Sequence, residues 1–370
     1  MVDKGVADKR AQKTYDRVKR PGSGRGRRAR EGALVKRLAL AVSIVVPTAA
    51  LVLTCSILAC AILACATTVA RAEWPDRPIR WIVGFGPGGA NDLIARFAAE
   101  GVAKQLGQPV IIENRPGAGA VVATGLVAHA APDGYVFLVG AANTITNSMI
   151  LKDLPYADSD LVPVGMIAVA PSTIVVNPSV PASNMAEFMA WAKTQDKVTW
   201  STAGNGSTPE FVGEMVREAG KLSLTIVPYR SGIDSVNAVM ANDVKATSEA
   251  SIVVLPKIKA GLLKPIATTY QKRISVYPSL ATTAEQGFPS VQIGHWAGLF
   301  APVGTPEPII ERMNAALQAA LKMPEVVDKL TAEAIEPAGG SVADFAAFMK
   351  TERQRLTELA ANMAVQKEKN

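Results

Sequence analysis

From residue 79 onward, short apolar runs alternate with longer segments in which apolar residues return every three or four positions. Runs at 79–85, 109–113, 135–140, 164–176, 198–203, 224–229, 244–248, 265–269 and 293–301 have strand length, and most have Gly, Pro, Asn or Asp at one or both ends. Between them the period changes to that of a helix. In the first such segment Leu93, Ile94, Phe97, Ala98, Gly101 and Val102 fall on one face. Another helix is expected to end at Lys264, with Pro265 as its breaker, and Ser341 with Asp344 forms a capping box that starts a last helix over 342–364. This alternation predicts an α/β fold.

Two such sets suggest two lobes of domain size. The proline-punctuated stretch "VAPSTIVVNPSVPAS" at 169–183 offers a crossing between them, and "HWAGLFAPVGTPEP" at 295–308 a return. The expected division is 1–72 leader, 73–173 first part of lobe 1, 174–295 lobe 2, and 296–370 the return segment and C-terminal helices of lobe 1.

The leader changes the reading of composition. Residues 1–37 are polar and basic, residues 38–70 carry no charge, and "ARA" at 70–72 is a small-x-small site. That order is a secretory signal, expected to be cleaved after Ala72; a retained anchor is the alternative, because the uncharged run is long enough to span a bilayer. Of the 39 Lys/Arg and 32 Asp/Glu in the chain, 14 and 4 lie in residues 1–72. The remaining 25 and 28 leave the mature part near −3, so basicity belongs to the leader and nucleic-acid binding has no support. Cys55, Cys60 and Cys65 all lie in the uncharged run, so the mature part must fold without disulfides.

Catalytic chemistry is thin. The two histidines are His129 and His295, and no H-E-x-x-H, G-x-S-x-G or Cys/His metal spacing occurs. No cofactor and no metal are expected. "GFGPGGANDLIAR" at 84–96 does match G-x-G-x-x-G at Gly84, Gly86 and Gly89, with Glu113 at the end of the next apolar run. An exported nucleotide-dependent oxidoreductase using this loop is therefore the rival reading. Pro87 removes an N–H that a phosphate cradle would use. The loop keeps another capacity: a glycine turn opening a helix exposes unpaired N–H groups at a positive dipole end, and a carboxylate binds there as well as a phosphate does. "WSTAGNGSTPEF" at 200–211 has the same form, and "VGAANTITN" at 139–147 follows a strand with small and hydroxyl residues. Three such loops favour a ligand cleft.

The stretches "WPDRPIRWIVGFGPGGANDLIAR", "LGQPVIIENRPGAGA", "APDGYVFLVG", "STAGNGS", "VPYRSG" and "GLFAPVGTPEPII" resemble the substrate-binding proteins of tripartite tricarboxylate transporters, the Bug-type receptors. The resemblance runs from about Trp74 to the last helix. It implies a type-II periplasmic binding-protein fold, in which two α/β lobes close on a small carboxylate for delivery to membrane permease subunits, with the receptor a periplasmic monomer and no enzyme. By motif, the first ligand loop is Phe85, Gly86, Pro87, Gly88, Gly89, Ala90, Asn91 and Asp92. The second is Ala141, Ala142, Asn143 and Thr144, and the opposing loop is Ala203, Gly204, Asn205, Gly206 and Ser207. Arg96 follows the family pattern and is read as bracing the loop as readily as touching ligand. The chain departs from the family at Gly86, at Glu210 and at Glu249. Glu210 is expected in the first turn of its helix, facing solvent, and Glu249 in the pocket. A carboxylate there suits a ligand with one carboxylate and a cationic or N–H-donating far end, such as an amino acid, an amide or a nitrogen heterocycle.

Overall fold

The computed structural model describes residues 74–367, so the leader lies outside it. Among the described residues no helix is long and apolar enough to cross a membrane.

The first sheet begins with β1 (Ile79–Val83), β2 (Val110–Asn114) and β3 (Val136–Gly140), connected through α1 (Ala90–Leu106) and α2 (Val121–Ala128). β1 pairs in parallel with both β2 and β3. Its apolar run is the signature of a strand covered on both faces, and Ile79, Trp81, Ile82 and Val83 are fully buried. The next elements are α3 (Asn143–Ile150) and β4 (Leu161–Ala170). After a passage through the second sheet, β10 (His295–Pro302) inserts antiparallel between β3 and β4. α8 (Glu307–Ala320), α9 (Pro324–Ala332), the short β11 (Glu336–Gly339) and α10 (Val342–Lys367) complete this lobe. The order is β11-β4-β10-β3-β1-β2. On α1 the fully buried face is Ile94, Ala95, Ala98 and Val102, with Leu93 and Phe97 packed at its margin.

The second sheet contains β5 (Ser172–Val176), β6 (Val198–Thr202), β7 (Leu224–Pro228), β8 (Ala246–Ala250) and β9 (Lys264–Thr268) in the order β7-β6-β8-β5-β9. Its helices are α4 (Met185–Lys193), α5 (Thr208–Gly220), α6 (Gly232–Met240) and α7 (Ser251–Lys259). Its centre is unusually rich in hydroxyls, and they bond one another. Ser235 Oγ donates to Ser201 Oγ at 2.8 Å and lies 2.9 Å from Thr247 Oγ1, and Ser172 and Ser248 hydroxyls are 2.8 Å apart. Paired in this way, buried hydroxyls escape the desolvation cost of unmade bonds.

Three expectations change. The run 164–176 is two strands, broken at Pro171, which lacks the N–H to continue a ladder, and the halves belong to different sheets. The helix expected to reach Lys264 stops at Lys259, and Gly261 at φ +73° turns the chain. Lys264 and Pro265 open β9, an edge strand, where proline is tolerated. β11, "EPAG", carries no alternation and was not expected. The capping box at Ser341 forms as read: Asp344 N–H donates to Ser341 Oγ at 3.1 Å and Ser341 N–H to Asp344 Oδ2 at 2.8 Å.

Candidate ligand-binding site

Two loops of matching construction meet between the sheets. After β1 the chain turns through Gly86-Pro87-Gly88-Gly89 into α1, and after β6 it turns through Gly204-Asn205-Gly206-Ser207 into α5. Gly88 and Gly206 sit at φ +80° and +71°, a region other residues reach only at a cost. Each turn closes on itself: Gly89 N–H donates to Gly86 O and Ser207 N–H to Gly204 O, both at 3.3 Å. Four residues beyond each of these positive-φ glycines an acidic side chain reaches back. Asp92 Oδ2 accepts the Gly88 N–H at 2.9 Å, and Glu210 Oε2 accepts the Gly206 N–H at 2.6 Å. Both acids lie in a first helical turn, where the dipole favours negative charge.

Asp92 is further held by Arg96 Nε at 3.0 Å and Asn114 Nδ2 at 2.9 Å. Burial works against its charge, but the bonds from Arg96, Gly88 and Asn114 outweigh it and hold the carboxyl below its ordinary value. Glu113, the acid that a dinucleotide fingerprint would use, is bound bidentately by Arg80 at 2.5 and 2.9 Å and also by Arg115 at 3.1 Å. The hydrogen bond from Arg80 brings its pKa down to about 2.

The loops enclose a small inner cavity. Its wall takes Phe85, Gly89, Ala90 and Asn91 from the first loop, and Ala141 and Asn143 from the turn after β3. Ala203, Ser207, Thr208 and Pro209 come from the opposing loop, with Gly232, Glu249 and His295 completing it. The cavity is tight, with a volume of only about 20 Å³. The N-caps of α1 and α5, Gly89 and Ser207, make no side-chain bond to their helices. That leaves the first-turn N–H groups of α1 uncapped at this wall, whereas α5 offers only Thr208 N–H, because Pro209 has none and Glu210 N–H donates to Ser207 O at 2.9 Å. Two side-chain nitrogens on the wall, Asn91 Nδ2 and His295 Nε2, are buried without a partner. At a cavity wall such groups can bond a molecule that enters it.

Outside lies a wider cleft of about 840 Å³, bordered by Gly117 to Ala120 on one lobe and by Gly204, Asn205, Tyr229 and Arg230 on the other. Between cleft and cavity the lobes bond directly. Asn143 Nδ2 donates to Asn205 O at 2.7 Å and Thr146 Oγ1 to Gly206 O at 2.9 Å. This is a closed arrangement.

The sequence-derived candidates therefore divide. Phe85, Gly89, Ala90, Asn91, Ala141, Asn143, Ala203, Ser207 and Glu249 form the wall. Gly86, Pro87, Gly88 and Asp92 build the turn behind it, and Arg96 braces that turn. Ala142 is the N-cap of α3, and Thr144 Oγ1 accepts the Ala141 N–H at 3.2 Å. Gly204 and Asn205 border the outer cleft, while Gly206 carries a cross-lobe bond. Glu210 does not face solvent: it is buried and spent on its own loop. Thr208, Pro209, Gly232 and His295 join the wall without having been singled out as ligand contacts. His129, by contrast, caps its own helix through Nδ1 to Gly125 O at 2.8 Å.

Glu249 and His295 are the two titratable groups of the wall. Glu249 Oε2 accepts the Ala250 N–H at 3.0 Å and lies 3.9 Å from His295 Nε2. Burial pushes the Glu249 carboxyl up to about 7 and the His295 imidazole down to about 3.

Two lobes, two crossings and an enclosed cavity at helix starts define a two-lobed solute-binding protein. Residues 94–365 match the family described as tripartite tricarboxylate transporter family receptor, and the chain belongs to that family. It is 34% identical over 295 residues to a UPF0065 protein of Bordetella pertussis, covering 79% of this chain and 91% of the relative. Protein BugT of the same organism is 30% identical, with 78% and 89% covered. Among solved structures, periplasmic binding protein BugD superposes with a TM-score of 0.76 at 29% identity, over 79% of this chain and 99% of that one. MatC from Rhodopseudomonas palustris with bound malate gives 0.74 at 29% identity, over 77% and 99%. A second R. palustris protein, solved with adipate, gives 0.76 at 29%, over 78% and 98%. The chain is thus a periplasmic solute-binding receptor of this family.

Proposed function

We propose that this receptor captures one small organic carboxylate in the inner cavity and delivers it to the membrane permease of a tripartite transporter. The observation that carries the reading is the open first turn of α1 at the cavity wall, where Gly89 provides no side-chain cap, beside the unpartnered Asn91 Nδ2 and facing the single Thr208 N–H of α5. Oriented N–H groups at a positive dipole end hold a carboxylate without any cationic side chain. MatC and the second R. palustris protein carry the acids malate and adipate, which supports the ligand class. Within that class the expected ligands are monocarboxylates, amino acids and nitrogen heterocycles. The leader would place the receptor in the periplasm, released after Ala72 and acting as a monomer.

Native mass spectrometry of the protein purified from its periplasm tests this. A retained small carboxylate is the expected result, on a chain that begins near Glu73. A retained dinucleotide would overturn the reading, and a chain found in the membrane with its leader intact would overturn its release.

A further inference from the structure

We propose that Glu249 and His295 select the ligand's second functional group, and that this group is a hydrogen-bond donor, an ammonium or an amide. The proposal rests on the receptor reading above and deepens it.

The two side chains come from different lobes, Glu249 from β8 and His295 from β10. At 3.9 Å their facing atoms are too far apart to bond each other. One nitrogen at ordinary hydrogen-bond distance from both fits the gap between them, donating to each. Glu249 has bonding capacity to spare, because its carboxylate offers several lone-pair sites and the Ala250 N–H occupies one of them. His295 Nε2 has no partner at all, and with the ring proton on Nδ1 it is an acceptor.

The charge of the wall points the same way. Neither Lys nor Arg lines the cavity, and a neutral buried imidazole supplies no positive charge. A second carboxylate would meet Glu249 with no cation to offset the repulsion, in a site where buried unpaired charge is costly.

The test is calorimetric titration near pH 7.5 with a matched series: 4-aminobutyrate, succinamate, succinate and butyrate. On the natural chain, 4-aminobutyrate and succinamate should bind at least about tenfold tighter than succinate. Glu249→Gln should narrow the gap between 4-aminobutyrate and butyrate, read as the ratio of the two affinities within that variant, and His295→Asn should weaken both donors. Succinate binding as tightly as 4-aminobutyrate overturns the assignment before any variant is made. Equal binding of all four also overturns it and leaves the receptor reading standing. If none binds, butyrate included, both fall together.

Discussion

Asp92 and Glu210 hold equivalent places in opposite lobes: each takes the N–H of a positive-φ glycine four residues earlier and so fixes the turn that opens its helix. The two acids differ in their second partners. Asp92 also holds Arg96 and Asn114, whereas Glu210 is closed within its own loop. Removing either carboxylate leaves a loop N–H without its acceptor. Asp92→Ala and Glu210→Ala should each cost about 1–3 kcal/mol of stability. Both should also weaken ligand binding, since the uncapped N–H groups lose their aim. Urea denaturation and calorimetry on the two variants measure the two effects; unchanged denaturation midpoints would show that the loops hold without these bonds.

Gly232 opens α6 directly against Glu249. A Cβ there would lie 2.3 Å from Glu249 Oε1. Gly232→Ala should therefore push the carboxyl aside at an overpacking cost of about 1–3 kcal/mol. Donor-bearing ligands should lose affinity while butyrate does not. Calorimetry and a melting curve on this variant separate the local displacement from general damage.

The bonds from Asn143 to Asn205 and from Thr146 to Gly206 join the two lobes directly, so an opening of the lobes would break them. Deleting each side chain removes about 1 kcal/mol from the closed state, which speeds ligand release by about five- to tenfold. Stopped-flow dissociation of Asn143→Ala and Thr146→Ala is the measurement, and scattering of the liganded variants should report a more open molecule. Identical dissociation rates would place the closing energy elsewhere.

Buried ionisable groups also shape the pH response of the empty receptor. Glu249 titrates near 7 when folded and near 4.5 when unfolded, so the folded state holds the extra proton between those values. Stability from this group falls as pH rises from about 4.5 to 7, by about 3 kcal/mol in all. His295 acts oppositely, because its folded value near 3 lies below the ordinary 6.5 and stability is lost as pH falls through that window. Glu249→Gln removes the first arm, so its stability relative to the natural chain should increase between pH 5 and pH 8. Urea midpoints at the two pH values check the sign, and a constant difference would show that Glu249 titrates as it does in water.

The parts of the fold written as contiguous apolar runs were legible: β1, β3 and β6 lie within a residue or two of their expected bounds. β8 lies two residues later than expected, at Ala246–Ala250 rather than 244–248, because hydroxyl partners on neighbouring elements replace hydrophobic burial there. β11 has proline and glycine in four residues and is held only as an antiparallel edge on β4. The glycine turns could be seen in advance, since a strand, a glycine and a helix start are local features. What the acids behind them do was not, for Asp92 and Glu210 are read correctly only when the turn is seen to fold back on them. His295 joins the cavity through a strand that returns from the other lobe, and nothing in its neighbours along the chain announces Glu249 beside it.

A single residue, Pro171, separates β4 from β5, and the returning strand starts next to it, with His295 paired opposite Ala170. Glu249 pairs opposite Thr173, two residues beyond that same proline. If the lobes swing about these strands like a door, the hinge pin would run beside Glu249 and His295. Parts near a pin travel little and parts near the free edge travel far. Glu249 and His295 should then keep nearly the same spacing in the open and shut states, while Asn143 and Asn205 should sweep apart. A ligand would be inspected at the pin before the edge swings to. Paired spin labels at 143 and 205 should report a wide swing on ligand addition, and labels beside 249 and 295 almost none.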